Sequence, residues 1–150
     1  MLKVYVWLPT KKSAGHTSIS FRSNYVSIRT TEGAGVSDVN IQASHQGSFI
    51  GALKEDVTAE GGRQPQVITI NEINTEKLAF FIANISNHIP QYQFSRYNNA
   101  HVVADCLTVA CNSGSGAAGQ YSKTAGGALG KGVWTSTDVL RYATELSLKA

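Results

Sequence analysis

The chain has 150 residues and a mass of 16.0 kDa, which predicts a single domain over residues 1–150. An apolar share of 42%, with 2 Trp, 6 Tyr and 5 Phe, supplies a hydrophobic core and excludes a disordered chain. The net charge of +3 is too small for the basic surface that duplex nucleic acid requires. The sequence contains no run of 18 apolar residues, so no transmembrane segment is predicted. The first residues do not form a classical signal peptide.

The first third of the chain predicts a strand followed by a β-hairpin. Residues Lys3–Leu8 are rich in β-branched and aromatic side chains and stop at a proline, the pattern of a largely buried strand. Gly15–Phe21 and Tyr25–Thr30 then flank a Ser-Asn pair at 23–24 that suits a two-residue turn. This turn places a polar row on one face of the hairpin, formed by His16, Ser18, Ser20, Ser27, Arg29 and Thr31.

The middle of the chain changes from an irregular segment to regular structure. Residues 31–66 show no sustained hydrophobic period and predict a surface excursion. Gln66–Ile70 predicts a strand, and Asn74 is placed to cap a helix. Apolar residues follow this cap at i, i+3, i+4 and i+7, namely Leu78, Phe81, Ile82 and Ile85.

Two further helices are predicted in the last third. The first covers roughly Asn99–Cys111, with one apolar stripe, and residues 113–133 then form a Gly-rich loop. Thr135 caps the last helix, with Asp138 three residues on. Together, these elements predict an α+β fold in which a small antiparallel sheet packs against helices.

The strand histidine and the helix start at residue 99 are the two places where chemistry is expected. His16 faces the polar row and suits the role of a general base. A helix N-terminus offers unpaired N–H groups and a positive dipole end, which activate a cysteine and hold an oxyanion. The residues at this helix start are Asn99 and Ala100, and neither is a nucleophile.

Four short motifs resemble those of one enzyme family. They are Gly-His-Thr-Ser-Ile at 15–19, Tyr-Val-Ser at 25–27, Tyr-Asn-x-x-His-Val-Val-Ala-x-x-Leu at 97–107 and Val-Trp-Thr-x-x-Asp-Val-Leu at 133–140. Their order resembles that of circularly permuted papain-fold enzymes, the permuted NlpC-type and lecithin:retinol-acyltransferase-like cysteine hydrolases, which include effector domains delivered by bacterial secretion systems. The resemblance covers most of the chain and implies a permuted papain-like fold, in which a strand histidine precedes a cysteine that opens a helix.

The resemblance assigns site residues position by position. His16 matches the general base, Asn98 matches the Asn that precedes the nucleophile, and the nucleophile falls on Asn99. A shift of one residue moves it to Ala100. Because neither residue can attack a carbonyl, the chain as it stands is expected to be inactive. A Cys→Ala substitution introduced at position 100 and a natural loss at position 99 both explain the missing cysteine.

Other residues compete for roles in this site. Ser27, Arg29 and Thr31 share the face of His16, and Ser27 is our choice for the residue that orients the imidazole, with His45 as the alternative. Cys106 is a rival nucleophile, but it lies two turns inside the helix on the apolar stripe, where burial makes a thiol inert. Cys106 and Cys111 are spaced too far along a helix for an unstrained disulfide.

The resemblance implies a thiol hydrolase or acyltransferase that acts on an ester or amide bond, without a cofactor or metal. Its substrates would be peptidoglycan peptides, lipids or proteins, and a cognate immunity protein is an expected partner of such a toxin. The expected location is cytoplasmic before delivery by a signal-peptide-independent secretion route. Two other readings stay open: a non-catalytic binding module on the same scaffold, and a small α+β adaptor that never had a site.

Overall fold

An antiparallel sheet is the central element of the computed structural model, which describes residues 1–11, 15–30, 44–45, 47–49, 52–87, 92–93, 99–111 and 134–149. In spatial order its strands are β3 (Asn24–Val26), β2 (His16–Phe21), β1 (Leu2–Trp7) and β7 (Gln66–Ile70). Two short ladders pair β4 (Ile28–Thr30) with β6 (Gly47–Phe49) and β5 (Ser44–His45) with β8 (Tyr92–Gln93). The helices are α1 (Leu53–Ala59), α2 (Thr75–Asn87), α3 (Asn99–Ala110) and α4 (Ser136–Lys149). The α+β class predicted from the sequence is therefore confirmed.

The two faces of the sheet differ in character. Val6 pairs with Thr17 and Val4 with Ile19, so these residues share a face, and this face packs against α2, α3 and α4 to form the hydrophobic core. The other face carries the alternate positions of the same strands, which are Lys3, Tyr5, Trp7, His16, Ser18, Ser20 and Tyr25. We call them the polar face of the sheet. Strand alternation thus separates His16 from the three core helices.

The hairpin is present, but its turn differs from the prediction. Phe21 pairs with Asn24, so Arg22 and Ser23 form the turn instead of the Ser-Asn pair at 23–24. Arg22 adopts a positive φ of 56°, a conformation that non-glycine residues rarely take. The predicted second strand also divides: β3 pairs with β2, whereas β4 leaves the main sheet and pairs with β6.

The predicted helix caps are confirmed. Asn74 Oδ1 accepts the backbone N–H of Lys77 at 3.0 Å, which satisfies one free donor in the first turn of α2. Thr135 Oγ1 accepts the N–H of Asp138 at 3.3 Å, while the Asp138 carboxylate accepts the N–H of Thr135 at 3.2 Å. Among the helices of the described ranges, none combines the length and apolarity needed to span a bilayer.

The segment predicted as an irregular excursion contains a helix that contacts the polar face of the sheet through Asp56. Helix α1 has seven residues, too few to show a clear hydrophobic period, which is why the sequence did not reveal it. The turn after α1 is fixed by Arg63, whose carbonyl accepts the Trp7 indole N–H at 2.9 Å. Arg63 also donates to the Leu8 carbonyl at 3.2 Å, so α1 is tied to the end of β1.

Gly15, which precedes the strand histidine, is held where no side chain fits. Its φ is +86°, and a Cβ atom there would lie 2.5 Å from both the Trp7 carbonyl oxygen and Ser136 Oγ. Ser136 stands at the start of α4, and its buried hydroxyl has no hydrogen-bond partner among the described residues. The first turn of α4 therefore packs directly against the residue before His16.

Gly15→Ala is expected to lower the free energy of unfolding by about 3 kcal/mol or more, because it adds a clash with a backbone oxygen to the cost of a positive φ. Gly61→Ala is the matched control, since Gly61 has a similar φ of +73° and open space around its Cβ position. It should lose only about 1 kcal/mol. Urea denaturation of both variants measures the difference, and equal losses would contradict the packing described for Gly15.

Ser136→Ala is expected to raise the free energy of unfolding by about 1 kcal/mol. The substitution removes a buried hydroxyl that has no hydrogen-bond partner among the described residues, and alanine is similar in size to serine. Ser147→Ala is the comparison, since Ser147 also lies in α4 but donates to the Thr144 carbonyl at 2.7 Å. A lower melting temperature for Ser136→Ala than for the parent chain would contradict this assignment.

Candidate functional site

His16 lies on the polar face of the sheet and is almost fully buried, with 1% of its surface exposed. Its Nε2 atom is 2.7 Å from Ser27 Oγ and 3.3 Å from Asp56 Oδ1. The Trp7 indole packs beside the imidazole, with ring centroids 5.7 Å apart. The structure thus brings together His16 and Ser27, the general base and the orienting residue predicted from the sequence, and adds Asp56 to them.

Asp56 receives hydrogen bonds from several directions although it is completely buried. It extends from α1 towards the sheet, where the Tyr25 hydroxyl donates to Oδ2 at 2.5 Å. Ser18 Oγ lies 2.6 Å from the Tyr25 hydroxyl. The carboxylate on α1 is therefore contacted by residues from β2, from β3 and from the position just after β3.

The position of the ring proton on His16 follows from these partners. A carboxylate only accepts hydrogen bonds, so the Nε2 atom that faces Asp56 and Ser27 carries a proton. Nδ1 is then the basic nitrogen of the neutral ring. Ser27 and Asp56 approach the same nitrogen, whereas a serine nucleophile and its acid bind opposite nitrogens of the histidine in a serine hydrolase triad. Ser27 is therefore placed to orient the ring and not to attack a substrate.

Burial and hydrogen bonding act in opposite directions on the Asp56 carboxyl. Burial by itself raises its pKa, but the hydrogen bond and charge of His16, with hydrogen bonds from Ser27 and Tyr25, hold the pKa well below the ordinary value. The carboxylate is therefore ionised at neutral pH. A buried carboxylate beside a histidine stabilises the imidazolium form of that ring.

The start of α3 is bound to the residue that follows His16. The Thr17 backbone N–H donates to Asn99 Oδ1 at 3.1 Å, and Thr17 Oγ1 donates to the Asn99 carbonyl at 3.2 Å. β3 pairs with β2 only from Ile19 to Phe21, so Asn99 occupies the strand edge that β3 leaves open. The side chain at position 99 therefore lies at this strand edge, against the residue that follows His16.

Positions 99 and 100 have different surroundings. Ala100 is 2% exposed and belongs to the hydrophobic core, whereas Asn99 is half-buried at the strand edge. Asn98, which the family resemblance places before the nucleophile, lies outside the described residues. Of the two candidate positions for a nucleophile, position 99 is the one with a polar environment.

The other candidates are placed as follows. Cys106 is completely buried in α3, and burial, with the charge of Asp105, raises the pKa of its thiol, so it remains protonated and unreactive. Both Cys106 and Cys111 are free thiols.

His45 lies in β5 and pairs with Tyr92, while Thr31 and the Gly-rich loop at 113–133 lie outside the described residues. Arg29 lies in β4 and pairs with Ser48.

Sequence reasoning did not find Asp56. An acidic residue in a polar segment is usually solvated, and the partners of this one come from parts of the chain about 30 to 40 residues away. The available signal was weak: Asp56 follows Leu53 by three residues, which places it on the same side of a helix as an apolar side chain.

Comparison with known proteins leaves this geometry without a named counterpart. No protein-family model, no curated protein sequence and no solved structure matches the chain. The papain-like resemblance therefore stays a hypothesis that depends on short motifs and on the geometry of the site.

Asp56→Asn is expected to lower the free energy of unfolding at pH 7 by about 3 kcal/mol, because it replaces a buried carboxylate that accepts hydrogen bonds from several donors by an amide that cannot satisfy them all. Because the pKa of Asp56 is lowered by folding, its contribution is present above its ordinary value of 3.8 and is lost as the pH falls below that value. The stability difference between parent and variant should thus shrink from pH 5 towards pH 2, a range fixed by the same lowered pKa.

Glu55→Gln provides the control, since Glu55 is the exposed acidic neighbour on the same helix. Its removal should change the free energy of unfolding by less than about 0.5 kcal/mol at every pH. Chemical denaturation at pH 2, 3, 5 and 7 gives the comparison. A constant gap between the parent chain and Asp56→Asn would show that Asp56 is not held ionised by folding.

Proposed function

We propose that this domain is a papain-like thiol hydrolase or acyltransferase scaffold whose nucleophile position is residue 99, and that the present chain, with Asn99 there, does not catalyse the reaction. The observation that carries the proposal is that His16 is buried, held at Nε2 by Asp56 and Ser27, and followed in the strand by Thr17, which binds the start of α3 through hydrogen bonds to Asn99. A histidine held in this way is suited to take a proton from a neighbouring thiol.

With a cysteine at position 99, the reaction would follow from the same geometry. The thiol proton would pass to Nδ1 of His16, and Asp56 would stabilise the resulting imidazolium. The thiolate would attack an ester or amide carbonyl, and backbone N–H groups at the start of α3 would stabilise the oxyanion. Expulsion of the leaving group gives an acyl-enzyme, which water or a second nucleophile then releases.

The burial of Ala100 favours position 99 over position 100. A side chain at position 100 lies in the hydrophobic core, where desolvation disfavours a thiolate. This supports the natural loss of a cysteine at position 99 over an introduced Cys→Ala change at position 100.

Substrate and biological setting are proposed from the sequence resemblance. The substrate would be a peptidoglycan peptide, a lipid ester or a protein amide. The setting would be a bacterial effector or toxin, cytoplasmic until it is delivered by a secretion system and neutralised by a cognate immunity protein.

A non-catalytic binding module is the second candidate, and one observation favours it. The Asn99 side chain is engaged by the Thr17 backbone, so asparagine has a structural role at this position. A chain that retains the scaffold but has lost the nucleophile would bind the same class of ligand without turning it over.

Asn99→Cys tests the proposal directly. The new thiol is expected to react with iodoacetamide below about pH 7, because His16 and the helix dipole lower its pKa from an ordinary value near about 8.5. Ala100→Cys is the matched control and should label slowly at every pH, since it is buried. Intact mass spectrometry follows both variants, and the parent chain gives the background from Cys106 and Cys111.

A second comparison isolates the histidine. Adding His16→Ala to Asn99→Cys should return labelling to the behaviour of an ordinary thiol, with circular dichroism used to check that the variant folds. If Asn99→Cys titrates near about pH 8.5 with His16 intact, no activated site exists and the binding-module reading takes its place.

A further inference from the structure

The Tyr25 hydroxyl is part of the buried cluster around His16, although it does not contact the imidazole in the hydrogen bonds described above. It donates to Asp56 Oδ2 at 2.5 Å, the carboxylate oxygen that does not face His16. The Oδ1 atom of the same carboxylate lies 3.3 Å from His16 Nε2. Tyr25 therefore acts on the opposite end of the group that holds the histidine.

The direction of the hydrogen bonds is determined by the carboxylate. Since Asp56 only accepts, the Tyr25 hydroxyl proton points to Oδ2, and the Tyr25 oxygen is left to accept from Ser18. Ser18 lies on β2, two residues after His16. The chain of donors thus runs from Ser18 through Tyr25 to Asp56 and ends beside the strand on which it began.

A carboxylate that is held at one oxygen cannot rotate freely at the other. With Oδ2 fixed by Tyr25, Oδ1 stays aimed at Nε2, and the proton on the His16 ring stays on that nitrogen. Loss of the phenol hydroxyl removes one of the hydrogen bonds that orient this carboxylate, so the preference of the ring for the Nε2–H tautomer weakens.

We infer that Tyr25 is a positioning residue for His16, which it holds in the Nε2–H form through Asp56, with Ser18 as the donor that orients the phenol. The role of Tyr25 in reactivity rests on the proposed function, whereas its effect on the His16 ring does not. Sequence motifs did not assign Tyr25 to the site; the hydrogen bonds do.

Tyr5 provides a matched control on the same face. Its ring lies 6.1 Å from that of Tyr25, but its hydroxyl bonds to Ser20 Oγ at 2.9 Å and takes no part in the hydrogen bonds to Asp56 described above. Tyr25→Phe and Tyr5→Phe therefore each remove one hydrogen-bonded phenol hydroxyl and keep the aromatic ring. Only the first removes a donor to Asp56.

The first experiment uses the parent chain and is independent of any cysteine. Nitrogen-15 NMR of the histidine ring reports the tautomer directly. His16 is expected to show the Nε2–H form in the parent chain and in Tyr5→Phe, and a mixture of both tautomers in Tyr25→Phe. An unchanged Nε2–H spectrum in Tyr25→Phe would overturn the inference.

The second experiment places the same two substitutions in the Asn99→Cys chain. At pH 6, Tyr25→Phe should reduce the rate of iodoacetamide labelling by about tenfold, since a displaced base loses efficiency steeply with distance, and Tyr5→Phe by less than about twofold. Equal reductions in both variants would show a merely structural effect and contradict the inference. If Asn99→Cys itself is not activated, the proposed function fails, while the NMR result still decides whether Tyr25 positions His16.

Discussion

The buried carboxylate of Asp56 ties α1 to the polar face of the sheet. Asp56 is removed from water, and an ionised carboxylate survives there only when its partners replace the lost hydration. Those partners come from the hairpin and from the residue that follows it: His16 lies near Oδ1, Tyr25 donates to Oδ2, and Ser27 also donates to the carboxylate. Because the donors belong to elements distant in sequence, the carboxylate can be satisfied only when the hairpin and α1 are both in place.

The sheet separates an apolar core from a network of hydrogen-bonded polar side chains. One face carries Val4, Val6 and Ile19 into a core with α2, α3 and α4, and this face needs only apolar contacts. The other face carries tyrosines, serines and the histidine, which need directed hydrogen bonds and a polar cover. The alternation of side chains along β1 and β2 is what allows two such different environments to lie one strand thickness apart.

Regular elements were predictable from the sequence because their signals are local. The apolar spacing of α2 and the caps at Asn74 and Thr135 depend only on residues within a turn or two, and the structure confirms them. The hairpin turn was misplaced because pairing across the strands determines it, and Arg22 accepts a positive φ to satisfy that pairing. Asp56 was missed for a related reason: only the folded chain reveals why a carboxylate in a seven-residue helix is buried.

The contact between Gly15 and the first turn of α4 links the two ends of the described chain, since α4 begins at residue 136 and Gly15 precedes the strand of His16. During synthesis the hairpin leaves the ribosome long before α4 does. Until α4 emerges and packs, the backbone before His16 is confined by the Trp7 carbonyl but not by Ser136. The order of synthesis therefore delays this contact until α4 has been made, and a chain that ended before α4 would carry His16 without the packing of Ser136 against Gly15.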